Sequence, residues 1–440
     1  MAATTKLPNQ VRMSGSDCKP VVTWAGDATV FSSLEAGLKS GLPNEAVEWK
    51  RSYGRQSRQV YIEAEFVPFS AETVVGGGEV GLQGQPVFHT FWTAVVDTEQ
   101  YRTNVKEEVS AWLVRYINCR MESVICVVQG QLRRGGVQDW LLVLVETPDT
   151  RKGNKFPLRT SVLDKLKQDV AGKSPERVLA LLDPGKADSR AAESMQSLLH
   201  KFRQFFLLSY NKVLNKFEER MRSQREKRTE AGWDFCRYLL LQEELALVYE
   251  TLGLPDEALV QYDELDALLT QFVLNCSVGA VPGWVERLSR EAEDWSPLSL
   301  EPAEAARLRG LLAASPARPP SLLNLRNYLF SRQCSLLLRS KKPADAAART
   351  LPFVQNTVQE LGILQTGQEE EEGGAGAGEG ADSLDSWVLL ACLCVLQAVG
   401  GADTTRVTAD TAALWSAARE KLLGLGELCG LMPGGPPPSR

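Results

Sequence analysis

Leu245-Ala246-Leu247-Val248-Tyr249-Glu250-Thr251-Leu252-Gly253-Leu254-Pro255-Asp256-Glu257-Ala258-Leu259-Val260-Gln261-Tyr262 is the most regular stretch of the chain and sets the character of its second half. Apolar residues recur at helical spacing on both sides of Gly253-Leu254-Pro255-Asp256. Two helices therefore meet at a turn, with Gly253 closing the first and Asp256 near the start of the second. The small Ala246 and Ala258 allow close approach and Tyr249 and Tyr262 fill the space beside them, as in tetratricopeptide-type repeats. Asp263, Glu264 and Asp266 read as a solvated face of the second helix.

A second hairpin of similar design is expected where Tyr328 to Leu338 is followed by Ser340-Lys341-Lys342-Pro343 and then Ala344 to Leu361. The interval between the two is irregular, so residues 186–364 read as a loose α-solenoid rather than a strict array. Upstream of the first hairpin a long helix is expected from about Ala191 to Arg228, with Leu198, Phe202, Phe205, Phe206, Val213, Leu214 and Phe217 on one stripe. Residues 201–230 carry nine Lys/Arg against four Glu. This basic end suits either solvent or an anionic partner, lipid or phosphorylated protein.

Residues 20–185 have a different rhythm. Pro20 to Gly26 reads as a strand, and Asp27 as the N-cap of a helix running to Leu42. Val60 to Phe66 and Val87 to Trp92 are strand-like, Thr98 to Ile117 helical, and Trp140-Leu141-Leu142-Val143-Leu144-Val145-Glu146 has the unbroken apolarity of a strand buried on both faces. A helix over Ser161 to Val170 and a strand over Arg177 to Leu182 complete the alternation. The expected fold is thus an N-terminal α/β domain with a mostly parallel or mixed sheet, followed by an α-solenoid of tetratricopeptide-like helical hairpins. Residues 1–19, the acidic and Gly-rich stretch 365–383 and the tail 429–440 are expected to be disordered, with a further helical hairpin over 384–428.

Composition narrows the function. The chain has 440 residues, 55 acidic against 49 basic, and a formal net charge of -6, which disfavours a nucleic-acid partner. Nine scattered cysteines and an N-terminus without an apolar signal region suggest a reduced, cytoplasmic protein, and the longest apolar run, Trp387 to Val399, is short for a membrane span. His89 and His200 are the two histidines, far apart, and Cys392-Leu393-Cys394 reads as core packing; no metal site is expected. Gly76-Gly77-Gly78-Glu79-Val80-Gly81 fits a dinucleotide fingerprint in letters but runs into Pro86 and a strand instead of a helix. Ser209-Tyr210-Asn211-Lys212 sits inside a long helix without companion motifs. No catalytic, cofactor-binding or metal residues are assigned. The stretch Glu48 to Arg55 is the candidate protein-interaction site, through Trp49, Arg51, Tyr53 and Arg55, residue types that anchor interfaces.

Several long strings, in order, carry a resemblance: PVVTWAGD from Pro20, EWKRSYGR from Glu48, REKRTEAGWDFC from Arg225, QEELALVYETLGLPDEALVQYDELDALLTQF from Gln242 and YLFSRQCSLL from Tyr328. Across most of residues 18–365 the chain resembles the amino-terminal part of subunit ten of the TRAPP II vesicle-tethering complexes. The resemblance implies a non-catalytic scaffold in vesicle-mediated transport, cytoplasmic and peripheral at the Golgi apparatus, from its cis face to the trans-Golgi network. The implied partners are the small core TRAPP subunits and the large subunit nine, a Rab-type small GTPase indirectly, and a membrane through the complex, with no cofactor and no nucleic acid. It also implies that the chain is truncated relative to the family, and that Arg115 to Arg134 is an atypical insert in which Ser123 to Val128 could add a strand. The competing class is a stand-alone peptide-binding adaptor of tetratricopeptide type.

Overall fold

The computed structural model of the chain describes residues 19–51, 56–70, 82, 85–95, 97–125, 139–146, 161–171, 174–183, 189–230, 232–276, 284–285, 288, 296–315, 317, 319–372, 379–400 and 408–431. The expectations for residues 1–18, the glycine run 76–81, residues 126–134 and the last nine residues lie outside these. Two compact units are present, one over Asp17–Glu219 and one over Arg220–Glu250 and Leu254–Arg440.

The first unit is built on strands β1 (Val21–Gly26), β4 (Glu65–Pro68), β5 (Pro86–Ala94), β6 (Trp140–Glu146) and β7 (Val178–Leu182), in the order β4-β1-β5-β6-β7. Every pairing is parallel, with Val22 opposite Phe66 and Phe88, and Leu142 opposite Phe91 and Val178. Of the two sheet types expected, the parallel one is found. Renumbered by position, this is the doubly wound order 2-1-3-4-5. A separate two-stranded antiparallel ribbon, β2 (Val47–Trp49) with β3 (Arg58–Val60), breaks up what the alternation suggested as one strand from Val60 to Phe66.

Alternation along β5 sends its large side chains to opposite faces. On one face Phe88 and Trp92 meet α1 (Ala28–Gly41) and α4 (Ser189–Glu226): Phe31 lies 5.7 Å from Trp92, and Phe202 lies 5.2 Å from Phe88 and 6.1 Å from Phe66, centroid to centroid. On the other face Phe91, Trp140, Leu142 and Val178 pack with Val109 and Trp112 of α2 (Lys106–Ile125) and Val162 and Leu166 of α3 (Val162–Leu166). Each of these buried side chains contributes roughly 1.5–3 kcal/mol relative to exposure. This packing moves the expected domain boundary. The first thirty or so residues of α4 cover the sheet, so the α/β unit ends near Glu219 and not at residue 185. Helix α2 also runs to Ile125, so residues 123–125 are helical and not the extra strand suggested for the insert.

The second unit contains α5 (Phe235–Thr251), α6 (Pro255–Cys276), α7 (Pro302–Ala313), α8 (Leu322–Arg339), α9 (Pro343–Glu372), α10 (Glu379–Gly400) and α11 (Ala409–Leu428). Neighbours pack largely in chain order: α6 against α8, α8 against α7 and α9, α9 against α10, α10 against α11. Helix α8 is buried almost all round, with Phe330 stacked on Phe353 of α9 at 3.8 Å. Residues 365–372 and 379–382, expected to be disordered, belong to α9 and α10. Ser383–Gly400 is apolar and long enough to cross a membrane. Here Trp387, Ala391, Cys392 and Val395 are core residues, and the Trp387 indole donates to Asn327 Oδ1 at 3.1 Å.

Both helical hairpins turn through the same geometry. Gly253 has φ +71°, and the Leu254 N–H donates back to the Tyr249 carbonyl at 2.8 Å, closing α5. Lys341 occupies the equivalent left-handed position after α8 with φ +58°, with Lys342 N–H donating to Leu337 O at 2.9 Å. A left-handed conformation costs a side-chain-bearing residue about 1–2 kcal/mol. Lys341→Gly is therefore expected to raise stability by about 1 kcal/mol, read as a higher urea midpoint of the full chain. The opposite case is Gly26, at φ +91°, where an added Cβ would stand 2.1 Å from the Trp92 carbonyl oxygen. Gly26→Ala should cost about 3 kcal/mol or more, seen as a lowered thermal midpoint with loss of the near-ultraviolet tryptophan signal.

Candidate protein-interaction site

In a doubly wound sheet, ligands bind outside the carboxyl ends of the strands where the order reverses, here beyond β1 and β5. That position is closed to phosphate. Asp27 caps α1, its Oδ1 accepting the Thr29 and Val30 N–H groups at 2.9 and 3.1 Å, and its own N–H donates to Trp92 O at 2.8 Å. The amides that would receive an anion are held by a carboxylate.

The chemistry-bearing residues considered from sequence are dispersed. His89 is buried in β5 with Nδ1 2.7 Å from Thr23 Oγ1, whereas His200 is exposed on α4 beside Gln204. Ser209 is buried on α4, out of reach of any substrate. Cys334 and Cys392 lie in the helical core, and Cys394 is half-buried. Burial pushes the Cys334 thiol up to about 12 and raises the other two as well, so they pack as neutral thiols. Among the described residues no three His, Cys, Asp or Glu gather as a metal site.

Of the candidate interaction residues, Tyr53 and Arg55 lie outside the described residues. Trp49 and Arg51 are brought together and used within the first unit. Trp49 is 3% exposed and its indole donates to Asn211 Oδ1 at 2.7 Å. Arg51 donates to Glu218 Oε1 at 2.7 Å and lies 5.7 Å from the Trp49 ring. The β2–β3 ribbon, whose short strands carry no strong periodicity, presents both residues to α4 and not to solvent. Arg203 makes a similar tie: buried on α4, it donates to the Gly41 and Leu42 carbonyls at 2.7 and 3.0 Å and to Glu45 at 2.8 Å, satisfying the end of α1.

Repeat positions Ala246, Tyr249, Ala258 and Tyr262 are all buried, and Gly253 is the left-handed residue of the turn between them. The polar side chains around them were not foreseen. Glu243 of α5 accepts from Tyr262 at 3.0 Å, from Tyr328 of α8, and from Arg309 of α7 at 2.6 Å. Burial, with the Glu243 carboxylate beside it, pushes the Tyr328 hydroxyl far above its ordinary range, so it stays protonated and donates. Glu250 accepts from Arg332 and Arg339. Arg326 reaches Glu360 of α9, Asp266 and Thr270 of α6, so that one guanidinium joins three helices. Asp263, Glu264 and Asp266 are thus not simply a solvated face. Asp263 binds Arg349 at 2.6 Å and Gln333 at 3.0 Å, Glu264 takes the Gln242 amide at 3.0 Å, and burial raises the Asp266 carboxyl against the pull of Arg326.

Arg326 and Glu360 are 4% and 2% exposed as side chains, so removing one strands the other. Arg326→Met is expected to cost about 3–5 kcal/mol in urea unfolding of the full chain. The double variant Arg326→Met/Glu360→Met should recover most of that, since two apolar groups of similar size replace the pair.

A family model described as "Trafficking protein particle complex subunit 10-like, N-terminal" matches residues 15–228. The chain is 40% identical over 421 residues to trafficking protein particle complex subunit 10 of Homo sapiens, an alignment covering 94% of this chain and 31% of that protein. To the protein of the same name in Drosophila melanogaster it is 34% identical over 426 residues, covering 96% and 35% respectively. A trafficking protein particle complex II-specific subunit 130 homolog of Oryza sativa subsp. japonica is 24% identical over 67% of the chain. The chain spans about a third of the length of the animal relatives it matches. No solved structure matches it.

Proposed function

We propose that the chain is a non-catalytic scaffold subunit of a TRAPP II-type tethering complex, a reading supported by the match of residues 15–228 to the trafficking protein particle complex subunit 10-like, N-terminal family model. The observation that carries the reading is 40% identity over 94% of the chain to a complex subunit, far beyond what a shared fold alone would give. The arrangement of the charged residues supports it. Glu243, Glu250, Glu360, Arg326 and Arg332 are spent on joining the chain's own helices, and Asp27 fills the position a nucleotide phosphate would take. The partners of the proposed role are the small core TRAPP subunits and the large subunit nine. Rab-type GTPase activation is then a property of the assembled complex, and the place of action is the cytoplasmic face of the Golgi. The second unit serves as an α-solenoid with tetratricopeptide-like hairpins, its helices packed against their neighbours.

A tagged 440-residue chain expressed in cells is expected to co-purify with other TRAPP subunits, identified by mass spectrometry. Ala258→Asp buries an unpaired carboxylate at a fully enclosed position and should abolish that recovery by unfolding the hairpin. Recovery of no TRAPP subunit with the unsubstituted chain, or equal recovery with the variant, would overturn the assembly role or the hairpin reading respectively.

A further inference from the structure

Strand β7 is an outer strand of the parallel sheet, paired with β6 along one side only. Successive residues of a parallel strand turn their backbone groups alternately to either side. Asp183 turns inward, its N–H donating to Glu146 O at 3.2 Å, and Leu182 turns outward, its N–H donating to Ser194 Oγ at 3.1 Å. By this parity the N–H of Ala180 and the carbonyls of Val178 and Ala180 also turn outward. A cavity of about 220 Å³ lies there, lined by Leu163, Lys167, Ala180, Ser194, Leu198 and Lys201, from the α3 side and from α4. The Ser194 hydroxyl already stands where a neighbouring strand's carbonyl would accept, so the groove offers the next position of an incomplete ladder.

The charge of the groove selects the occupant. Lys167 and Lys201 line it, and neither makes an ion pair among the described residues. The carboxylate nearest Lys167 in sequence on the same turn, Asp169, is engaged elsewhere by Tyr101 at 3.2 Å and Lys106 at 3.1 Å. We propose that the outer edge of β7 is a peptide-docking site that takes an extended acidic segment of a partner protein as an added strand. Main-chain hydrogen bonds to Val178 and Ala180 hold it, alternate side chains enter the groove beside Leu163 and Leu198, and its carboxylates meet Lys167 and Lys201. This site stands apart from the complex membership proposed above and is tested on the purified chain.

The probe is a fluorescein-labelled, end-blocked seven-residue peptide of alternating aspartate and valine, titrated into the full chain and followed by anisotropy. Saturable binding is expected, weakened about tenfold by the surface variant Lys167→Glu/Lys201→Glu and by N-methylation of alternate peptide amides. The same peptide with lysine in place of aspartate is expected not to bind. Circular dichroism of the double variant checks that its fold is intact. Binding indifferent to N-methylation would reduce the site to ionic adhesion and overturn strand addition. Absence of saturable binding up to about 1 mM would overturn it outright, showing a groove closed to peptides or filled by the chain itself.

Discussion

Guanidinium groups can be carried into a helical core when each meets a carboxylate, and the second unit is arranged around that constraint. Arg326 and Arg332 on α8 are almost wholly enclosed, and Arg309 partly so; Glu243 and Glu250 of α5 and Glu360 of α9 accept from them. Removing two charges from water costs several kcal/mol per ion, which an apolar pair would not incur. What the ionic arrangement supplies is a definite register. Sliding α8 by one turn past α6 or α9 would leave a buried charge unpaired on each side, whereas an apolar stripe would tolerate the slip. Tyr262 and Tyr328 extend the same logic, since both hydroxyls converge on Glu243.

The first unit meets a related constraint with fewer ionic ties. Its core is aromatic, divided by β5 into two faces, and the sheet is held from one side by α1 and α4. Arg203 and Glu218 sit on α4 some fifteen residues apart, the first securing the end of α1 and the second holding Arg51 beside the β2–β3 ribbon, so the long helix acts as the beam to which these segments are fixed. That use explains why α4 must be long, and why its apolar stripe from Leu198 to Phe217 is so rich in phenylalanine.

Much of this was legible in the sequence wherever a local rule acts alone. The strand before Asp27 and the cap itself, the unbroken apolar run Trp140–Glu146, and the turn at Gly253 depend on residues within a few positions of one another. The misses share the opposite property. The β2–β3 ribbon has three residues per strand, too few for a period to emerge. Trp49 and Arg51 carry the composition of an interface anchor, and nothing nearby in sequence reveals that Asn211 and Glu218, more than 160 residues later, accept from them. Asp263 and Asp266 looked solvated because their partners, Arg349 and Arg326, belong to helices that only tertiary packing brings near. The one available signal was arginine at position 326, lodged between apolar residues where a solvated charge does not belong.

These misses bear on how such a chain can serve an assembly. Large interface-type residues that prove to be internal shift the search for partner contacts to the surfaces that internal packing leaves incomplete. In a parallel sheet the outer strand is such a surface by necessity, because one row of backbone donors and acceptors lacks a neighbour. At β4 and β7 the chain must cover that row, shorten it, or leave it for another protein. The Ser194 hydroxyl on Leu182 shows the first solution applied to one position of β7, while the cavity beside Ala180 shows where it stops. The docking site proposed at β7 is accordingly short, directional and backbone-based, and specificity there would rest on ladder geometry and two lysines rather than on a large apolar patch.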